Sequence, residues 1–108
     1  MKVFVAIMLV LTVFLSISTV FAADVAAGKD LYGKRCASCH GTAGEGKDSI
    51  AKAMKVEMKP LSSQEVQSKS DADLKKIMLE GIGKMKGTKD LDAKGADDIV
   101  AYLRTLKK

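Results

Sequence analysis

The stretch Cys36-Ala37-Ser38-Cys39-His40 gathers the chain's only two cysteines and its only histidine into five consecutive positions. Residues three apart on a helical turn point the same way, so both thiols can reach two side groups of one flat ring. A histidine one step further lies under the centre of that ring and can ligate a metal held there. The spacing therefore predicts one covalently attached haem c, with thioether bonds from Cys36 and Cys39 and with His40 as an axial iron ligand.

Other uses of a Cys-x-x-Cys pair fit less well. A thioredoxin-like dithiol sits in a β-α-β setting, and the chain shows no period-two β-branched runs to supply one. A structural zinc ion needs four ligands, and these three side chains are too close together to wrap a tetrahedral ion. A Cys36–Cys39 disulfide closes too small a loop to stabilise much.

The second axial ligand is the next question, and a second histidine does not exist. Beyond the N-terminal region the methionines are Met54, Met58, Met78 and Met85. Met78 shares an apolar helical face with Leu74 and Ile77 and reads as core. Met54 and Met58 are spaced to share one helical face. Met85 is different, because it sits in Gly81-Ile82-Gly83-Lys84-Met85-Lys86-Gly87, among glycines and lysines with no apolar stripe to join. A loop of that composition can carry a thioether across the ring face opposite His40. Sulfur is a soft donor to iron and raises its reduction potential. Met85 is the expected ligand; Met58 and an open sixth position are the alternatives.

The elements that must position these groups are helical throughout. Asp24 caps a helix through Val25, Leu31 and Tyr32 into the cysteine motif. Three glycines in residues 41–46 break it into a loop. A short helix over Ile50 to Met54 follows, and Pro60 ends that region. Ser62-Ser63-Gln64-Glu65 reads as a capping box for another turn. Ser70 caps a helix closed by Gly81, and residues 81–89 form a loop. The last helix runs from about Asp92 to Leu106, with Ala96, Ile99, Val100, Leu103 and Leu106 as its stripe and Tyr102 beside it. Gly95 inside it costs about 1 kcal/mol relative to alanine unless it marks a close contact.

Length and composition bound the rest. The chain has 108 residues, enough for one domain, and a net charge of +5 to which Lys2 contributes one. Residues 1–23 show a basic start, an apolar run from Val3 to Leu15, and Val20-Phe21-Ala22-Ala23 at the end. That is the pattern of a secretory signal peptide cut after Ala22 or Ala23, leaving a domain over residues 24–108. An uncleaved anchor is the competing reading, since Val3 to Phe21 is long enough to span a bilayer. The domain has no tryptophan and only Tyr32 and Tyr102 as aromatics, so a porphyrin would supply much of its core. Dispersed lysines without interleaved aromatics argue against nucleic acid as a partner.

With these motifs in hand, the chain from Asp24 to Leu106 resembles the small class I, mono-haem bacterial cytochromes c. The resemblance rests on Gly28-x-x-x-Tyr32-x-x-x-Cys36-x-x-Cys39-His40-Gly41, Pro60-Leu61, Gly81-x-Gly83-x-Met85 and Ile99-Val100-Ala101-Tyr102-Leu103. It implies an all-α fold of three to five helices around one covalent haem. It further implies that Gly28 and Tyr32 pack against Tyr102 of the C-terminal helix. The Pro60 carbonyl is expected to accept a hydrogen bond from His40 Nδ1–H and so orient the ring. The family usually has proline directly after the axial methionine, where this chain has Lys86.

Iron closed by nitrogen and sulfur has no site for a substrate, so the chain is expected to be an electron carrier and not an enzyme. The expected setting is a soluble periplasmic monomer passing electrons between redox proteins. Lys84, Lys86 and Lys89, facing Lys47, Lys55 and Lys59, are candidates to steer acidic partners. Two further readings stand beside it: a haem sensor or enzyme with a displaceable sixth ligand, and a membrane-anchored haem subunit of a larger redox complex.

Overall fold

The computed structural model describes residues 23–108; the expected signal peptide lies outside the described residues except for Ala23. The first helix, α1, spans Val25–Arg35, and the Asp24 carboxylate caps it by accepting the Ala27 amide at 3.1 Å. The helix does not run on into the motif as expected. Cys36, at φ −120°, interrupts it, and a single turn, α2 (Ala37–His40), follows. Next come α3 (Asp48–Met54), α4 (Gln64–Gln67) and α5 (Asp71–Glu80). A two-strand hairpin, β1 (Gly81–Ile82) and β2 (Met85–Lys86), leads to α6 (Ala93–Thr105).

The described residues thus hold six helices, more than the three to five expected, because the first element is split and two are single turns. The fold class is otherwise as read from the sequence. The hairpin is the one departure from an all-helical pattern. The turn before α4 is capped by Ser63, one residue later than the capping box predicts, with its hydroxyl accepting the Val66 amide at 3.4 Å. Ser70 and Asp92 cap α5 and α6 by accepting the Asp73 and Gly95 amides at 3.1 and 2.7 Å. Among the described residues no helix is long and apolar enough to cross a membrane.

The core lies where α1 and α5 pack on α6. It comprises Tyr32, Leu74, Met78, Ala96, Ile99, Val100, Tyr102 and Leu103. The α6 contribution follows the helical stripe, and wholly buried Ile99 contributes about 2 kcal/mol relative to an exposed position. Two glycines allow the close approach. A Cβ at Gly28 would stand 1.9 Å from the Asp98 carbonyl oxygen, so α1 and α6 meet backbone to backbone. Gly95, flanked by Leu31 and Leu91 side chains, marks a tight contact as well, which accounts for a glycine inside a helix.

Arg104 fastens the connection before α5 onto α6. Its guanidinium donates to the carbonyls of Gln67 and Lys69 at 2.9 and 2.7 Å and to the Asp71 carboxylate at 2.7 Å. Gln67 Nε2 in turn donates to the carbonyls of Leu61 and Leu103 at 2.9 and 2.8 Å. This network fixes the segment on which one side of the site is built.

Tyr32 and Tyr102 pack at 5.2 Å between ring centroids with a 56° tilt, the arrangement that aromatic quadrupoles favour. The Tyr32 hydroxyl donates to the Gly41 carbonyl at 2.6 Å, tying α1 to the end of the cysteine motif. Burial, with the Cys36 thiol beside it, pushes the phenol up to about 12, so it stays a donor at any working pH. Tyr32→Phe removes this bond and leaves the buried Gly41 carbonyl only the longer one from the Gly44 amide at 3.2 Å, a loss of about 1–2 kcal/mol. The melting temperature of the holoprotein should fall by roughly 5–15 °C. An unchanged melting temperature would show that the hydroxyl holds nothing.

Candidate functional site

Between the core and the hairpin lies a cavity of about 650 Å³, within the size range of cofactor pockets. Its lining brings together most of the expected site. Tyr32, Cys36, Cys39 and His40 come from α1 and α2, and Met85 comes from the hairpin. Leu74, Ile77, Met78, Ile99 and Leu103 give the apolar wall from α5 and α6.

The cysteine motif is held by its own turn and by the glycine loop that follows. The Cys39 and His40 amides both donate to the Cys36 carbonyl, at 3.2 and 3.0 Å. The loop folds back, so that the Gly46 amide reaches the His40 carbonyl at 2.7 Å and the Lys47 amide the Cys39 carbonyl at 3.3 Å. The two cysteines are not joined to each other. Burial, with Cys39 nearby, pushes the Cys36 thiol up to about 11.

Burial also lowers the basicity of His40, favouring the neutral imidazole that a metal binds. His40 Nδ1 is buried and has no hydrogen-bond partner, alone in this respect among the described residues. The expected bond from Nδ1–H to the Pro60 carbonyl is not made. The Pro60 carbonyl instead accepts the Ser63 amide at 3.0 Å, which closes the turn into α4, and Pro60 does not line the cavity.

The other expected residues divide. Tyr102 packs behind Tyr32 and does not line the cavity itself. All four methionines of the described residues line it: Met54, Met58, Met78 and Met85. Met54 and Met58 do not share a helical face, because α3 ends at Met54 with Lys55 in the left-handed conformation (φ 54°). A Cβ at Gly46 would lie 3.5 Å from the Met58 sulfur. The Met58 side chain therefore packs on the glycine loop that follows the cysteine motif.

Met85 is placed by the hairpin. Gly81 pairs with Lys86 and Ile82 with Met85, leaving Gly83-Lys84 as a two-residue loop. Of that pair only Gly83 has positive φ (55°), the pattern of a type II′ turn with glycine first. Residues 81–86 therefore form a paired ribbon, where the sequence suggested an open loop. Lys86 keeps a backbone N–H that proline would lack, and it sits at a paired position of the ribbon. Lys84 Nζ donates across the cavity mouth to the Met54 carbonyl at 2.6 Å, tying the hairpin to the end of α3.

Sequence reasoning missed Val56 as wall and Arg35 and Lys69 as rim. A signal for the first was present. Apolar residues alternate with charged ones in Met54-Lys55-Val56-Glu57-Met58-Lys59, the period of an extended segment, and the apolar set is half-buried while the charged set is exposed.

The residues present fit a haem. Two unjoined thiols, a half-buried imidazole with an orphaned buried nitrogen and an apolar, sulfur-rich wall surround one space of the right size. Known proteins agree. The family described as cytochrome C oxidase, cbb3-type, subunit III matches residues 23–103. The chain is 33% identical over 92 residues to cytochrome c-554(547) of Halothiobacillus neapolitanus, a match covering 80% of this chain and all of that protein. It is also similar to the solved structure of the KustC0563 c-type cytochrome, with a TM-score of 0.63 and 25% identity, covering 75% of this chain and 98% of that one. A space shaped for a tethered porphyrin and likenesses that span most of the chain lead to one conclusion: this chain belongs to the cytochrome c family, as a mono-haem electron carrier of class I type with covalently bound haem c.

Proposed function

We propose that the protein is an exported, periplasmic carrier of single electrons whose haem iron is held by His40 on one face and Met85 on the other. The observation that supports this most is the hairpin, which brings Met85 into the wall of the cavity that Cys36, Cys39 and His40 also line. When bound, the haem supplies one-electron cycling of iron between its ferrous and ferric states. The chain's own residues do the remainder. Cys36 and Cys39 would tether the haem, His40 and Met85 would hold its iron, and Leu74, Ile77, Met78 and Leu103 would exclude water. With both residues bound to the iron, neither a substrate nor a gas would have a ready place to bind.

The test is carbon monoxide titration of the reduced holoprotein purified from the periplasmic fraction. Slow or negligible binding by a monomer is expected. Rapid stoichiometric binding would overturn the closed six-coordinate carrier in favour of a displaceable ligand.

The rim suggests the partner's charge. Arg35, Lys59, Lys69, Lys84 and Lys86 stand along the cavity lining against a single acid, Glu57. Two are already paired with acids, Arg35 with Asp90 at 2.6 Å and Lys59 with Glu57 at 2.9 Å, and Lys84 is bonded to the Met54 carbonyl. Lys47, Lys55 and Lys89 are exposed but lie off the lining. Such a rim suits an acidic redox protein. Electron transfer to one should slow by about tenfold between roughly 0.01 and 0.15 M ionic strength. A rate that ignores salt would reject docking through this rim.

A further inference from the structure

Among the described residues one charged side chain is buried, Asp98 in the middle of α6, only 3% exposed. Its Oδ2 accepts from Lys94 Nζ at 2.8 Å. Its Oδ1 accepts from the backbone nitrogen of Asp24 at 2.8 Å, across 74 residues of sequence. The Lys94 ammonium first, then the Asp24 N–H, hold this carboxyl below the usual carboxylate range.

The groove beside it holds one other cation, Arg104, which Asp71 engages at 2.7 Å. Asp24, Asp92 and Asp98 all act on the one Lys94 ammonium. Asp97 lines the same shallow groove but is taken by Lys75 at 3.1 Å. A buried carboxylate is an expensive group, stable in proportion to the charge that answers it. Spending one of its oxygens on a neutral amide at the first turn of the fold is a weak use of it. The same contact with an ammonium is a charge-assisted bond, shorter and stronger.

Asp24 directly follows Ala22-Ala23, the small-residue end of the expected leader. We propose that a signal peptidase cuts the Ala23–Asp24 bond and that Asp98 is the receptor for the α-ammonium this creates. The cut consumes one water. The C–N bond breaks, the hydroxyl stays on the Ala23 carbonyl, which leaves as a carboxylate, and the hydrogens go to the Asp24 nitrogen, which is an ammonium at neutral pH. A cut after Ala22 leaves that nitrogen an amide and puts the new charge one residue away, on exposed Ala23. The inference rests on the export reading above and selects between its two cleavage points.

The first test is the intact mass and N-terminal sequence of the holoprotein made from the full chain in an exporting host. Asp24 as the first residue is expected. A start at Ala23 or earlier in the leader overturns this proposal and leaves export standing, whereas an uncut chain overturns both. The second test titrates the α-amine of the folded holoprotein. Asp98, Asp92 and the Asp24 carboxylate raise its pKa and Lys94 opposes them, so a value above the ordinary range of about 7.7–8.0 is expected. The pair then stabilises fully below the ordinary value and is lost as pH rises through the raised one. Asp98→Asn should return the amine towards the ordinary range. An amine that titrates at or below that range in the unaltered protein overturns the assignment, whether or not the variant folds.

Discussion

Met85→Ala should remove the methionine-to-ferric charge-transfer band of the oxidised holoprotein. The same change lowers its reduction potential by on the order of 100 mV, because a thioether opposite histidine favours ferrous iron and axial ligands set haem potentials over a wide range. Carbon monoxide should then bind the reduced variant readily. The rival sulfurs supply the controls. Met78 is fixed in the core at 6% exposure, and Met58 packs against Gly46. Met58→Ala should leave the band in place while costing about 2 kcal/mol or more of packing. If the band survives Met85→Ala and disappears with Met58→Ala, the axial assignment is wrong.

Gly28→Ala should be among the most damaging single methyl groups in this chain. Alanine in a helix is intrinsically better than glycine by about 1 kcal/mol. Here the added carbon would meet the Asp98 carbonyl oxygen at 1.9 Å and its carbon at 2.4 Å. Both are backbone atoms, so no rotamer change relieves the clash, and α1 must lift from α6 by about an ångström. The lift also strains the Asp24–Asp98 bond and the Tyr32–Tyr102 contact. A net loss of about 3 kcal/mol or more is expected, a large share of a small domain's stability. Gly33→Ala is the matched control. It lies on the same helix with nothing within 4 Å of the added carbon, and it should stabilise by roughly 0.5–1 kcal/mol. Denaturant unfolding of the two holoproteins should move in opposite directions. Equal effects would mean that the contact at Gly28 does not limit the packing.

Much of this was legible from residue types. Asp24, Ser70 and Asp92 each have the side chain that satisfies free amides at a helix start, and each caps a helix. The α6 stripe follows from its 3.6-residue period. The hairpin was not legible, because two paired residues per strand are too few to show alternation. The interruption at Cys36 was hidden because Cys-Ala-Ser-Cys-His has no glycine or proline to announce it. Asp98 was missed for a different reason. A charged residue within a helix ordinarily faces water, and only the three-dimensional approach of Asp24 and Lys94 explains its burial. The position of Met58 likewise depends on a loop contact that no local pattern contains.

The close meeting of α1 and α6 has a consequence for how properties are divided in the molecule. The first and last helices of the described residues lock together at Gly28 and Asp98, and most of the cavity wall belongs to segments strung between them. The redox centre therefore hangs from a closed frame. Residues 47–59 and the hairpin at residues 81–86 can change in length or charge without loosening that frame. Potential and partner choice are in this sense adjustable independently of folding. Tyr32 is where the two meet, since it belongs to the core, lines the cavity and holds the Gly41 carbonyl at once.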